Sequence, residues 1–255
     1  MIYVTGDTHA DFKRFSTRRF PEQDELTKDD FVIICGDFGG VWHDCPEERY
    51  WLDWLSDKPF TTLFVDGNHE NFDRLNSGEF ETVDFHGGRA HKIRDSIYHL
   101  MRGYVFDLDN KSFFAFGGAS SHDIKDGILD EASFASHKEF LKTLRFWRLT
   151  GKMFRVKGVS WWPEELPSEG EMMRGKRNLA ERSMKVDYVI SHCLPQEIAS
   201  CVSMGFYKPD IITTYFNTLL YDNLSFDHWF CGHYHVERSV FQKYEMLYDS
   251  IRRIV

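Results

Sequence analysis

Two short segments near opposite ends of the chain carry side chains that could bind a metal ion. Asp7 and His9 are two positions apart, and so are His233 and His235. In an extended chain, residues two positions apart point to the same side, so each pair is directed at a common point. Carboxylates and imidazoles are ligands for borderline divalent metals. A single pair is a weak signal, and its weight depends on the motifs that accompany it.

Further polar residues follow apolar runs elsewhere in the chain. They stand in the segments Gly36-Asp37 and Gly67-Asn68-His69-Glu70 and at His192. Asp7, Asp37 and Asn68 are 30 and 31 residues apart, about the length of one βα unit. In parallel sheets, ligands gather just beyond the carboxyl ends of the strands. The motifs together therefore predict that these polar residues converge on one site.

The apolar runs that precede these residues are predicted to be buried strands. Residues 2–5, 31–35 and 61–65 are continuously apolar or β-branched, and helix-compatible stretches follow the first two. This pattern predicts a parallel sheet that is covered on both faces. Residues 97–100, 104–108 and 112–116 are short runs separated by turn residues, and they predict antiparallel strands of a second sheet.

The rest of the chain mixes helices and closing strands. Residues 130–150 predict a helix that ends before Gly151, and residues 168–184 predict another, with Ser168 and Glu171 in capping-box spacing. Further strands are predicted at residues 186–190, 226–230, 239–241 and 244–248. Because no linker-like composition interrupts these elements, we expect one domain over residues 1–255.

Composition excludes several classes of protein. The chain has 255 residues, is 42% hydrophobic, and carries 31 Lys and Arg against 40 Asp and Glu, for a net charge of −9. Disorder is excluded by the apolar content, and the most obvious apolar run, residues 31–35, is far too short to span a membrane. The five cysteines include no CxxC pair, and the first residues are strand-like rather than a targeting signal. We therefore expect a cytoplasmic protein with no membrane partner.

A basic stretch stands out against this acidic background. Residues 138–157 hold seven basic residues and one acid, and the first four, Lys138, Lys142, Arg145 and Arg148, form a stripe on the predicted helical segment 130–184. Phe140, Leu144 and Trp147 would face the other way. The stripe is either a solvated helix face or a wall that recruits an anionic substrate. His122, after a glycine pair, lies in a loop that could border the site, whereas Trp162 is expected to pin a loop onto the core.

The five polar motifs resemble, in kind and order, those of the calcineurin-like metallophosphoesterases. The family pattern is DxH, GD, GNH followed by an acid, a lone His, and GHxH, and each block is present between residues 7 and 235. The resemblance implies an α/β fold: a four-layer α/β/β/α sandwich of two mixed β-sheets flanked by helices. The metal site would lie at the C-terminal ends of the strands.

The resemblance also implies a ligand set for two divalent metal ions. Asp7, His9 and His235 would hold the first metal, and Asn68, His192 and His233 would hold the second. Asp37 would bridge the two, because cations about 3.5–4 Å apart need a shared anion between them. No thiolate is included, which favours manganese, with iron, zinc and nickel as alternatives.

The implied activity is hydrolysis of a phosphomonoester or phosphodiester by in-line attack of a metal-bridging hydroxide. His69 resembles the family's catalytic histidine, which protonates the leaving oxygen or stabilises its charge. Protein phosphatases of this superfamily carry GDxVDRG, whereas residues 36–42 here lack the later Asp and the Arg. His69 is thus left without an obvious partner, and Asp44, Asp73 and Glu70 are the candidates.

Substrate and partners stay open at this stage. A small phosphorylated substrate is the first expectation, and no motif distinguishes a monoester from a diester or defines the oligomeric state. One alternative is a non-catalytic binding or scaffold module on the same fold, although it would not need all seven ligands. Another is a nuclease that acts on nucleic-acid ends, which the net charge disfavours and the basic stripe supports.

Overall fold

The computed structural model describes residues 1–204 and 208–255. In chain order, the strands are β1 (Ile2–Thr5), β2 (Phe31–Ile34), β3 (Thr61–Phe64), β4 (Glu81–Phe85), β5 (Gly88–Arg94), β6 (Ile97–Leu100), β7 (Tyr104–Leu108), β8 (Lys111–Phe116), β9 (Gly127–Leu129), β10 (Phe154–Val156), β11 (Tyr188–Ser191), β12 (His228–Cys231), β13 (Arg238–Val240), β14 (Tyr244–Met246) and β15 (Ile251–Arg253). The α-helices are α1 (Pro46–Ser56), α2 (Phe72–Leu75), α3 (His137–Leu149), α4 (Glu169–Glu181), α5 (Gln196–Val202) and α6 (Ile211–Tyr221).

The first sheet is built on the three apolar strands at the start of the chain. Its order is β15-β1-β2-β3-β6-β5-β4, and β1, β2 and β3 pair in parallel. Every residue of these three strands is buried, as expected for a continuous apolar run without polar alternation. The predicted parallel sheet is therefore confirmed, and its strands end at the same edge.

The prediction that residues 97–100 belong to the second sheet is wrong. These residues form β6, which lies in the first sheet and pairs in parallel with β3, with Phe64 opposite His99. The physical reason is the short turn before β6. Two residues separate β5 from β6, and so short a connection allows only an antiparallel neighbour in the same sheet.

The second sheet collects the later strands in the order β13-β14-β12-β11-β8-β7. Strands β8, β11, β12 and β14 run in parallel, whereas β7 and β13 are antiparallel edge strands. The strands predicted after residue 185 are present as β11 to β14 with boundaries shifted by one or two residues, and β15 was not predicted. Both sheets are therefore mixed, and each has its longest parallel run at its centre.

Apolar side chains on both faces of each sheet set the layers. Val4, Ile33 and Leu63 of the first sheet pack with Phe113 and Ile190 of the second, which forms the central layer between the sheets. The outer face of the first sheet packs against α1 and the 3₁₀ turns that precede it. The outer face of the second sheet packs against α4, α5 and α6. The four-layer α/β/β/α sandwich is confirmed.

The helix boundaries follow local capping. The predicted start of a helix at residue 130 is wrong, because Glu131–Ser133 forms a 3₁₀ turn and Ser136 caps the N-terminus of α3 at His137. The capping box of Ser168 and Glu171 is present at the start of α4. None of the helices in the described ranges is long and apolar enough to cross a membrane.

A small βαβ unit lies between β8 and β11. Strands β9 and β10 pair in parallel and are joined by α3, which carries the predicted basic stripe. Leu129, Phe140 and Val156 form the apolar cluster that holds this unit together. The unit is an insertion between two strands of the second sheet, and it places residues 154–156 beside the loops of the first sheet.

Candidate metal centre

The predicted ligands follow strands of both sheets. Asp7 and His9 lie after β1, Asp37 after β2 and Asn68 after β3, while His192 follows β11. His233 and His235 follow β12 in the same way. Because all of these strands run in parallel within their sheets, their carboxyl ends bring the five loops to one edge of the sandwich.

The first group of predicted ligands is compact. Asp7, His9 and His235 offer ligand atoms that all lie within 4.8 Å of one another. Asp7 Oδ2 is 2.9 Å from His235 Nε2, and the Nε2 atoms of His9 and His235 are 3.2 Å apart. The two histidine side chains are also the most exposed members, at 34% and 47%. This group therefore opens to solvent.

The second group lies deeper. His192 is fully buried, its Nε2 is 3.2 Å from Asp37 Oδ1, and its ring centroid is 5.0 Å from that of His233. Asp7, Asp37 and His192 also offer ligand atoms within 4.8 Å of one another. Asp37 Oδ2 is 3.8 Å from His9 Nε2, so the Asp37 carboxylate lies between the two groups.

Three buried polar atoms mark the site as incomplete. Within the described ranges, eight buried side-chain polar atoms make no hydrogen bond, and Asp7 Oδ2, Asn68 Oδ1 and His192 Nε2 are the three that lie at this site. An unsatisfied buried polar atom costs about 1–3 kcal/mol, so such atoms are rare in native proteins. All three belong to predicted ligands, and oxygen and imidazole nitrogen atoms are the donors that divalent transition metals bind. The residues present therefore fit a group of bound cations.

Hydrogen bonds from the backbone hold the ligands in place. His192 Nδ1 lies 2.8 Å from the carbonyl oxygen of Cys35; a carbonyl only accepts, so Nδ1 donates to it and Nε2 is the nitrogen that faces Asp37. Asp37 Oδ1 accepts from the His69 amide at 2.7 Å, and Asp7 Oδ1 accepts from the His233 amide at 2.9 Å. Each carboxylate thus keeps its second oxygen for the site.

The backbone around the ligands is strained. His9, Asp37, His233 and His235 have φ angles of 45°, 48°, 69° and 50°, which is the left-handed region that side-chain-bearing residues rarely adopt. Each such residue costs on the order of 1–3 kcal/mol, and such conformations cluster at functional sites. Four of the seven predicted ligands share this feature.

Glycines in two of the motifs allow the loops to approach closely. A Cβ at Gly67 would lie 2.0 Å from Asp37 Oδ1, and a Cβ at Gly232 would lie 2.1 Å from Asp7 Oδ1. No side chain fits at these distances. The glycines of GNH and GHxH therefore let one loop pack directly against a carboxylate that another loop supplies.

Mutual charge stabilises the central acid and the buried histidine. Burial alone raises the pKa of Asp37, but the charge of His192, with smaller contributions from His69 and His9, outweighs it and lowers the pKa far below its usual range. Burial alone lowers the pKa of His192, and Asp37 and Asp7 together raise it to about 10. The carboxylates therefore attract a cationic partner, which in the metal-free chain is this histidine.

None of the three residues expected to support His69 does so. Glu70 is fully buried and accepts hydrogen bonds from the amides of Phe38 and Gly39, so it fixes the loop after β2. Burial and the nearby Asp37 raise the pKa of Glu70 well above its usual value. Asp44 pairs with Arg49, at 2.8 Å. These two acids belong to the structure around the site rather than to His69.

Asp73, the third of these candidates, is also engaged elsewhere. Its carboxylate accepts a hydrogen bond from the indole of Trp162 at 2.7 Å, and the Trp162 ring packs edge-on against Trp42. Trp162 is buried and lies just before the 3₁₀ turn Pro163–Glu165. The expectation that this tryptophan pins a loop onto the core is confirmed.

Arg155 is the residue that contacts the His69 side chain. Its Nη2 lies against His69 Nε2, and it forms a two-point ion pair with Asp123. Burial, followed by the charge of Arg155, lowers the pKa of His69 to about 4 against the opposing effect of Asp37. Sequence reasoning counted Arg155 in the basic stretch and missed this role. Its place between Phe154 and Val156 does not set it apart, because Arg145 and Arg148 also lie between apolar residues, so the sequence carries no local signal for this role.

The loop of His122 borders the predicted site. The His122 ring centroid is 5.5 Å from that of His233. The sequence left open whether this loop reaches the site, and the ring contact resolves the question. His122 is not among the predicted ligands, and it shares with them only this edge of the sandwich.

The site is defined by its donor atoms rather than by a cavity. A cavity of about 600 Å³ lies beside Asp66, His99 and Arg102, and among the described residues its lining contains none of the predicted ligands. Asp66, one of its three lining acids, is already paired with Arg102. The unpaired atoms at the strand ends are the better guide to chemistry.

These features describe a candidate centre for divalent cations at one edge of an α/β/β/α sandwich. The sequence model of the calcineurin-like phosphoesterase family matches residues 1–237, so the chain belongs to this family. A comparison with curated proteins finds no match. Family membership supports metal-dependent hydrolysis of phosphoesters in general, and the Asp and His groups at the strand ends are candidate ligands for the metals.

Proposed function

We propose that this protein hydrolyses a small phosphorylated substrate at a centre of two divalent cations. The observation that carries the proposal is the set of buried, unpaired ligand atoms on Asp7, Asn68 and His192. A folded chain tolerates these unpaired atoms more easily if a cation binds them. The family match supports the reaction class independently of this geometry.

The two ligand groups are those that the family resemblance implies, and the short distances within the first group support it. Asp7, His9 and His235 form the first group, and Asn68, His192 and His233 form the second. Asp37 bridges them, and its support is the position of its carboxylate, 3.8 Å from His9 and 3.2 Å from His192. Manganese is the first choice for both positions, with iron, zinc and nickel as alternatives, because the set has no thiolate.

Bound divalent cations supply Lewis-acid chemistry, lowering the pKa of water and offsetting the charge of the phosphoryl oxygens. The chain's own residues do the rest. His9 and His235 are the exposed members, so the substrate enters on their side of the site. His69 lies on the same side, with its ring centroid 5.0 Å from that of His9, and either protonates the leaving oxygen or stabilises its charge.

The test combines metal analysis with a substrate panel. We expect metal-free protein to bind two Mn²⁺ per chain and to hydrolyse phosphomonoesters or phosphodiesters, and we expect EDTA to abolish the activity. His192→Ala should reduce both metal binding and turnover, whereas His43→Ala, an exposed histidine outside the motifs, should change neither. Wild-type protein that binds none of Mn²⁺, Fe²⁺, Zn²⁺ or Ni²⁺ would contradict the proposal and favour a non-catalytic scaffold.

Hydrolysis at nucleic-acid ends is a second candidate, and α3 supports it. Lys138, Lys142, Arg145 and Arg148 are exposed on this helix, and within the described ranges none forms an ion pair. A stripe of unpaired cations attracts phosphate backbones. Lys142→Glu with Arg145→Glu should raise the apparent KM for a nucleic-acid substrate, and the exposed pair Arg18→Glu with Arg19→Glu serves as control. Equal effects of the two double variants would remove this candidate.

A further inference from the structure

Arg155 reaches the candidate site from the βαβ unit rather than from the strand-end motifs. It is the central residue of β10, and its side chain is 5% exposed. Its neighbours Phe154 and Val156 pack into the cluster under α3. Since successive side chains of a strand point to opposite faces, the packing of these neighbours directs Arg155 away from α3 and towards His69.

Fixed partners orient the guanidinium of Arg155. Nε and Nη2 donate to the two oxygens of Asp123 at 2.7 and 3.0 Å, and Nη1 donates to the carbonyl of Ser160 at 3.1 Å. The remaining hydrogen of Nη2 points at His69 Nε2. A guanidinium has five N–H groups, so four have partners in the described ranges and one on Nη1 is left.

The contact with His69 is weaker than the two with Asp123. A guanidinium only donates, so His69 Nε2 accepts, and a neutral imidazole nitrogen is a poorer acceptor than an anionic oxygen. A phosphoryl group next to His69 therefore competes well for this N–H and for the free N–H on Nη1. The planar fork of a guanidinium matches two oxygens of a phosphate.

We propose that Arg155 binds the phosphoryl oxygens of the substrate beside His69, with Asp123 and Ser160 holding the guanidinium in place. This inference rests on the proposed function and adds a protein group that binds the substrate's anion. Substrate binding then also frees His69 Nε2 from Arg155. Arg155 is in this sense a substrate-binding residue, and Asp123 is a positioning residue that acts through it.

The experiment measures the binding of inorganic phosphate to Mn²⁺-loaded protein by calorimetry. Arg155→Met should weaken phosphate binding about 10- to 100-fold, the range expected for losing charge-assisted hydrogen bonds, and should leave the metal content unchanged. Lys157→Met is the matched control, because Lys157 directly follows the same strand, is exposed and pairs with Asp130. It should bind phosphate as the wild type does.

Several outcomes would overturn the inference. Unchanged phosphate affinity in Arg155→Met does so, even if kcat falls, because that pattern assigns Arg155 to the positioning of His69 alone. If Arg155→Met does not fold, Arg155→Lys decides, since it keeps the charge but loses the fork: affinity equal to the wild type's contradicts the proposal, and weaker affinity supports it. A wild-type protein that binds phosphate but hydrolyses nothing in the panel counts against the proposed function and leaves the role of Arg155 standing.

Discussion

Two clusters of buried acids and histidines share the loop after β3, and they differ in whether their polar atoms have hydrogen-bond partners. Asp66 and Asn68 both follow β3. The Asp66 carboxylate is paired with Arg102, whose Nε is 2.9 Å away, and with His99, whose Nε2 is 3.1 Å away. Asn68 belongs to the metal-ligand cluster, where three buried ligand atoms have no hydrogen bond in the described ranges.

The paired cluster carries its own cation. Arg102 is buried and also donates to the carbonyl of Glu164 at 2.8 Å. Burial alone raises the pKa of Asp66, and the charge of Arg102 with the hydrogen bond of His99 outweighs it, so the pKa is lowered strongly. A cluster of this kind is complete when the chain has folded, and it ties β3 to β6.

The metal-ligand cluster has the acids without a matching arginine at its centre. Asp7 and Asp37 are buried to the same degree as Asp66, and the neighbouring cation is a histidine, which carries charge only when protonated. This difference shows that the burial of an acid beside a histidine does not by itself identify a functional site. Unpaired ligand atoms gathered at one place do, because a cation from outside can pair with them.

The largest effect is expected for His69, which acts on the substrate beside the metal-ligand cluster. His69→Asn removes the imidazole but keeps the backbone amide that holds Asp37. We expect kcat to fall about 10²- to 10⁴-fold with two metals still bound, because the proton donor to the leaving oxygen is lost. Steady-state kinetics and metal analysis on the same preparation measure both quantities. Unchanged turnover would remove His69 from the mechanism.

Breaking the paired cluster should affect stability instead. Arg102→Met leaves Asp66 buried without its main partner, and we expect the free energy of unfolding to fall by roughly 3–5 kcal/mol, as for other broken buried pairs. Denaturant unfolding of metal-free protein measures this change. Combining it with Asp66→Asn should recover part of the loss. If Arg102→Met lost metal binding while keeping full stability, the division between the two clusters would be wrong.

Asn68→Ala tests the same division from the other side. The amide oxygen of Asn68 is buried without a partner in the described ranges, so its removal should cost the metal-free protein about 1 kcal/mol or less. Affinity for the second Mn²⁺ should fall at least about 10- to 100-fold, since even an outer partner of a metal ligand is worth that much. Calorimetric titration with Mn²⁺ follows the loss. Destabilisation as large as in Arg102→Met would place Asn68 in the paired cluster.

The convergence of the ligands could be predicted from the sequence because the signals for it are local. Continuous apolar runs with a polar residue at their ends define parallel strands, and parallel strands place Asp7, Asp37 and Asn68 at one edge. The same reasoning failed for β6, where the length of a turn rather than the composition of the strand selects the sheet.

The partner of His69 was beyond such reasoning for a different reason. Arg155 is 86 residues away in sequence from His69, and a chain excursion through β9 and α3 brings it back. Its ion pair with Asp123 spans 32 residues. Long-range pairs of this kind leave no periodicity in the sequence, whereas Glu70, which was a candidate because of its proximity in sequence, holds a backbone loop.

The smallest effect concerns a third paired carboxylate, which lies near the surface. Asp187 accepts hydrogen bonds from Lys111 Nζ at 2.8 Å and from the amide and hydroxyl of Ser112 at 2.9 and 2.7 Å. Partial burial by itself raises the pKa of Asp187, and the hydrogen bonds from Lys111 and Ser112 outweigh it and lower the pKa to about 2. Asp187 is therefore a partly exposed counterpart of the buried Asp66.

A lowered pKa fixes the sign of the pH dependence. The stabilisation by Asp187 is fully present above the carboxyl's unfolded-state pKa of about 3.9, and it is lost as the pH falls towards and below the folded-state value. Asp187→Asn should therefore destabilise metal-free protein at neutral pH by less than Arg102→Met does, and the gap from wild type should close in acid. Unfolding curves across this pH range measure the gap, with Asp84→Asn, an almost fully exposed acid, as the control. A gap that persists in acid would mean that Asp187 stabilises the fold through packing rather than charge. The paired carboxylate near the surface would then differ from the buried Asp66 in the nature of its stabilising effect as well as in the magnitude.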